Sequence, residues 1–89
     1  MYKRFHGVDL HKSYSTIMVR DKDGSEIQYI SRCKNFREYI ESLNKDDVVV
    51  VEAMNNAFYW ADQIEKQGAK CVIINPYRRT RLKSRERNV

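Results

Sequence analysis

Four consecutive valines, Val48-Val49-Val50-Val51, followed at once by Glu52, constrain this chain more than any other segment. β-branched side chains are stiff at χ1 and pack well on a pleated surface, so the run predicts a strand. It shows no alternation between apolar and polar positions. A strand of that kind is buried on both faces, which places it centrally in a sheet with parallel neighbours. Parallel neighbours require crossover connections, usually helices. The flanking sequence therefore has to supply helices.

It does so on both sides. Before the run, Asn35 reads as an N-cap, with Glu38 placed to complete a capping box. Phe36, Tyr39, Ile40 and Leu43 share one helical face, and Asn44-Lys45-Asp46 closes the segment. After the run, Asn55-Asn56 reads as the turn and cap of a helix over residues 57–67. Ala57, Trp60, Ala61 and Ile64 form its apolar face, and Gly68 is its C′ residue. Residues 70–75 form a short apolar strand that Pro76 ends.

Toward the N-terminus, residues 4–10 read as a strand in which Val8 and Leu10 alternate with Asp9. Residues 13–21 and 26–31 are two more strands, joined by a hairpin turn at Asp23-Gly24. The order is β-β-β-α-β-α-β. A meander followed by two right-handed crossovers builds one mixed α/β sheet with helices on its faces. The strand order expected is 3-2-1-4-5, with strands 1, 4 and 5 parallel, which is the start of a ribonuclease-H-like fold.

The chain of 89 residues is enough for one domain. No apolar run approaches the roughly 20 residues of a membrane span, and Met1 leads straight into a strand without a signal peptide. A cytoplasmic location is expected. Cys33 and Cys71 lack metal-ligand spacing and read as two reduced thiols. The net charge of +5 is unevenly placed. Residues 1–76 hold eleven basic and eleven acidic residues, whereas residues 77–89 hold six basic residues and one acid, Glu86. The chain thus divides into a balanced body, 1–76, and a basic tail, 77–89. Arg78, Arg79, Arg81, Lys83, Arg85 and Arg87 form an electrostatic footprint for polyanions; the other reading is a solvated end.

Chemistry centres on Asp9 and Glu52. If strands 1 and 4 are parallel neighbours, both carboxylates emerge at one edge of the sheet. Neighbouring strands lie about 4.8 Å apart, so the two side chains can share a hard cation, Mg²⁺ or Mn²⁺. Such an ion relieves the repulsion between the acids and creates a phosphoryl-transfer site. The alternative is that each acid simply pairs with a nearby base such as Lys12.

Two blocks carry a resemblance. The first is Gly7-Val8-Asp9-Leu10-His11-Lys12, followed by Ser15-Thr16-Ile17-Met18-Val19 and Asp23-Gly24. The second runs from Val50 through Glu52-Ala53-Met54-Asn55-Asn56-Ala57-Phe58-Tyr59-Trp60-Ala61, then Gly68 and Val72-Ile73-Ile74-Asn75-Pro76. In that order they resemble the opening of the DEDD-type insertion-sequence transposases, relatives of the Piv invertase in insertion-sequence family one-hundred-ten. The resemblance implies an N-terminal domain similar to the Holliday-junction resolvase RuvC, in which four acids bind divalent metal. The first maps onto Asp9 and the second onto Glu52. The last two belong to a segment expected after the basic stretch, so the chain reads as truncated on its C-terminal side and inactive alone. The implied activity is metal-assisted DNA strand cleavage and transfer. The implied partners are DNA and a structured RNA, with self-association of the full-length protein. The family's usual glycine is replaced here at Asn55 or Asn56, and asparagine tolerates the left-handed region that such a turn uses.

Among other residues, His11 reads as structural or supporting, on the same sheet face as Asp9, and His6 as an ordinary strand residue. Trp60 reads as core, and one of Phe58 and Tyr59 as exposed. Met54 reads as packing. The competing function is a non-catalytic nucleic-acid-binding module. A third reading, an actin-like ATPase half-domain, wants a phosphate loop rich in Gly, Ser or Thr after the first acid; His11-Lys12-Ser13-Tyr14 has no such glycine.

Overall fold

A computed structural model describes residues 1–53 and 56–75. The elements are β1 (Arg4–Leu10), β2 (Ser15–Asp21), β3 (Glu26–Cys33), α1 (Phe36–Glu41), β4 (Asp47–Glu52), α2 (Ala57–Lys66) and β5 (Lys70–Ile74). They form one five-stranded mixed sheet in the order β3-β2-β1-β4-β5. β1 runs antiparallel to β2 and parallel to β4, and β4 runs parallel to β5. The expected strand order and directions are those observed.

Boundaries differ for local reasons. β2 starts at Ser15 rather than residue 13, because the His11 N–H donates to the Tyr14 carbonyl at 2.9 Å and closes a turn. β3 continues to Cys33 because Cys33 pairs with Ser15. α1 stops at Glu41; the Ser42 and Leu43 N–H groups bond three residues back, to Tyr39 and Ile40, tightening the last turn. Leu43 is nevertheless buried, as its spacing required. α2 ends one residue earlier than expected, at Lys66, and Gly68 follows at φ 102°, a left-handed conformation suited to glycine.

The core lies on one side of the sheet. Val8 and Leu10, Ile17 and Val19, Val49 and Val51, and Cys71 and Ile73 alternate inward from four strands. Phe36, Ile40 and Leu43, together with Ala57, Ala61 and Ile64, close over them in the same cluster. Among the described residues both helices therefore cover a single face, which corrects the expectation of helices on both. It also refines the reading of the valine run. Val49 and Val51 are buried under the helices; Val48 and Val50 alternate onto the other face, where Val48 is buried as expected and only Val50 is half-buried. That second face carries Phe5, Gly7, Asp9, Met18, Val50 and Glu52, all exposed or half-exposed. No helix among the described residues is long and apolar enough to cross a membrane.

Candidate functional site

The register between β1 and β4 is what brings the two acids together. The ladder pairs Arg4 with Asp47 and runs without a shift to Val8 opposite Val51. Asp9 and Glu52 are the residues that directly follow this last pair on their two strands. Adjacent strands lie about 4.8 Å apart, so the two backbones are neighbours at that level. Both residues fall on the face that the helices leave open, and both line a depression of about 380 Å³ there, with Gly7, Thr16, Met18 and Val50. Gly7 leaves the floor of this depression without a side chain. A Cβ there would meet only the Met18 carbonyl oxygen, at 3.9 Å, so alanine would fit.

Asp9 is open to solvent, its side chain 63% exposed. Its neighbour is His11, as the two-residue period required, rather than Lys12. His11 Nε2 lies 3.4 Å from Asp9 Oδ2 and 3.4 Å from Thr16 Oγ1. The Thr16 hydroxyl donates to the Ser31 carbonyl at 3.1 Å, so it can only accept from His11. Nε2 therefore carries its proton toward Asp9 and Thr16. The ring stacks on Tyr14, centroids 4.4 Å apart, and the Arg32 guanidinium lies 4.0 Å from the same Tyr14 ring. Asp9 and Glu52 offer two carboxylates to a hard cation, a donor set that suits Mg²⁺ or Mn²⁺ but fills only part of its shell. Among the described residues no group of three or more His, Cys, Asp or Glu is placed to hold a metal ion.

His6 is not an ordinary strand residue, which corrects the sequence reading. It is 5% exposed and joins a buried polar network on the helix-covered face. Its Nε2 lies 2.8 Å from Asp47 Oδ1, and its Nδ1 meets the Tyr39 hydroxyl. The carboxylate can only accept, so Nε2 donates; in the neutral ring Nδ1 accepts from Tyr39. Arg4 Nε donates to the same Asp47 oxygen at 2.7 Å, and the Asn44 N–H to the other at 2.8 Å. Burial pushes the Asp47 carboxyl up, but the hydrogen bonds from Arg4, His6 and Asn44 outweigh it and hold the group below the usual carboxylate range. Burial pushes the Tyr39 phenol well up, and the Asp47 charge adds to that. The signal for this network was present in sequence. Asp47 immediately precedes a buried run, and the two-residue period puts His6 on the face of Val8 and Leu10.

The remaining sequence candidates divide. Trp60 is half-buried and packs edge-on to Phe36 at 5.1 Å, while both Phe58 and Tyr59 are exposed. Asn56 occupies the N-cap of α2 without a side-chain hydrogen bond. Cys33 and Cys71 are free thiols, and burial pushes that of Cys33 up. Met54, Asn55 and the basic residues Arg78, Arg79, Arg81, Lys83, Arg85 and Arg87 lie outside the described residues. No protein-family model matches this chain, and no curated protein matches it significantly.

Proposed function

We propose that this chain is the N-terminal part of a ribonuclease-H-like catalytic domain acting on DNA, of the kind found in the DEDD insertion-sequence transposases it resembles. One observation carries the reading: Asp9 and Glu52 directly follow the last pair of the ladder between two neighbouring parallel strands and line one open depression. Asp9 and Glu52 would hold Mg²⁺ or Mn²⁺. A divalent ion bound there would supply charge stabilisation for a phosphodiester and activation of a water. His11 acts through Asp9, orienting its carboxylate from 3.4 Å. Thr16 fixes the His11 ring, and Gly7 keeps the floor clear for a sugar-phosphate strand. In this reading two further acids are needed to complete the site, so Asp9 and Glu52 by themselves bind the ion weakly and do not support DNA cleavage.

Calorimetric titration with Mn²⁺ tests the carboxylate pair without needing activity. The wild-type chain should show one weak site. Asp9→Asn and Glu52→Gln should each abolish it, and the double variant should lose nothing more, because both acids serve one ion. Unchanged Mn²⁺ affinity in Asp9→Asn would remove the carboxylate site and favour a nucleic-acid-binding module without catalysis.

A further inference from the structure

A second, larger depression of about 580 Å³ lies where the β1–β2 turn meets the β3–α1 junction and the start of α2. Three cationic side chains line it, Lys12, Lys34 and Arg37, together with His11, Tyr14 and Trp60. Among the described residues no carboxylate lines it. Among the described residues none of these three cations has an acid within ion-pair distance. Arg37 is instead held by aromatic side chains. It donates to the Tyr59 hydroxyl, and its guanidinium lies 5.7 Å and 5.4 Å from the Tyr59 and Trp60 ring centroids. Arg32 lies over Tyr14 at the same rim. Like charges gathered in a concavity without counter-charge raise the local potential and favour an anionic ligand. Hydroxyls from Ser13, Tyr14 and Ser15 add donors suited to phosphate oxygens.

His11 joins this depression to the acidic one. It lines the basic pocket, and its Nε2 lies 3.4 Å from Asp9. The two pockets therefore adjoin across the end of β1, one negative and one positive.

We propose that the pocket formed by Lys12, Lys34 and Arg37 binds backbone phosphates of a single-stranded nucleic acid passing the Asp9–Glu52 pair. This rests on the nucleic-acid part of the reading above, and not on the cation. Lys12 and Lys34 supply the charge, and Arg37 pairs with a phosphate from its fixed position.

Trp60, the one tryptophan of the chain, lines the pocket and reports on it directly. The test titrates the full 89-residue chain with a single-stranded DNA oligonucleotide and follows Trp60 fluorescence at several salt concentrations. A saturable change is expected. The exposed pair Lys12→Ala/Lys34→Ala should weaken it about tenfold or more and flatten the log–log salt slope by about 0.7 for each phosphate that the variant leaves unneutralised. Its circular dichroism and its Mn²⁺ titration should match wild type. Neutralising Arg78, Arg79, Arg81 and Lys83 should lower affinity but leave the Trp60 change at saturation. Equal affinity and equal slope in the Lys12/Lys34 variant would overturn the pocket. So would saturation of the Trp60 signal by ATP with no response to the oligonucleotide, which would make the ligand a free nucleotide. A Trp60 response that survives when Mn²⁺ binding is absent would support the pocket while the carboxylate reading alone fails.

Discussion

At the residue scale, Asp47 holds more of the described structure together than any other polar side chain. It is 1% exposed and accepts from Arg4, His6 and the Asn44 backbone. Truncating it leaves a buried imidazole and a part-buried N–H without their acceptor, so Asp47→Ala should cost about 3 kcal/mol in urea denaturation. The pH dependence follows from the direction of its shift. The folded carboxyl titrates below its unfolded value of about 3.9, so the folded state binds fewer protons. Its contribution is complete above that unfolded value and is lost as pH falls through the folded one. The stability gap between wild type and Asp47→Asn should therefore be constant near neutrality and shrink below about pH 4. A gap that stays constant down to about pH 2 would mean that the carboxylate charge is not what stabilises the network. Asp9, by contrast, is mostly exposed and can change to Asn without a folding cost, which makes it a clean probe of function.

At the element scale, the β1–β4 ladder links the two polar sites. Arg4 and Asp47 pair at its start with a separation of 43 residues, and Asp9 and Glu52 directly follow its last pair with that same separation. Because five residues separate Arg4 from Asp9, alternation sends the first pair under the helices and the second onto the open face. A slip of one residue would move Asp9 to the buried face, so the half-buried Arg4–Asp47 pair protects the geometry of the exposed acids. The caps give a sharper contrast. The Asn35 side chain accepts from the Glu38 N–H at 3.0 Å, so Asn35→Ala should cost about 1 kcal/mol, whereas Asn56→Ala, with no such bond, should cost well under half that. Comparable losses from thermal unfolding of the two variants would contradict these cap assignments. Strands and helices were legible because their periods of 2 and 3.6 are written in residues such as Val8 and Leu10, or Phe36, Ile40 and Leu43. The open face was not. Val50 is as apolar as Val49, and its composition carries no mark of which side a helix covers. The basic pocket was illegible for a related reason. Lys12, Lys34 and Arg37 come from two separate junctions, and only the fold gathers them.

At the scale of the whole molecule, charge is segregated. The body of residues 1–76 is balanced, and the surplus lies in residues 77–89. Binding to duplex DNA should therefore show a steep salt dependence, up to about −0.9 per phosphate contacted. Replacing Arg78, Arg79, Arg81 and Lys83 with alanine should flatten that slope and weaken all duplex sequences alike, since phosphate contacts carry no base information. Equal slopes for wild type and the fourfold variant would assign the tail no role in binding. The open sheet face and its two acids hold the central claim, that Asp9 and Glu52 share one divalent ion. Paramagnetic broadening of backbone amide signals by sub-stoichiometric Mn²⁺ tests this most directly, because it maps the ion onto the sheet. Broadening should centre on residues 8–11, Thr16 and residues 51–53, and should vanish from all three segments together in Asp9→Asn. Broadening confined to the acids at the β2–β3 turn, Asp21 and Asp23, with residues 8–11 and 51–53 untouched, would contradict it.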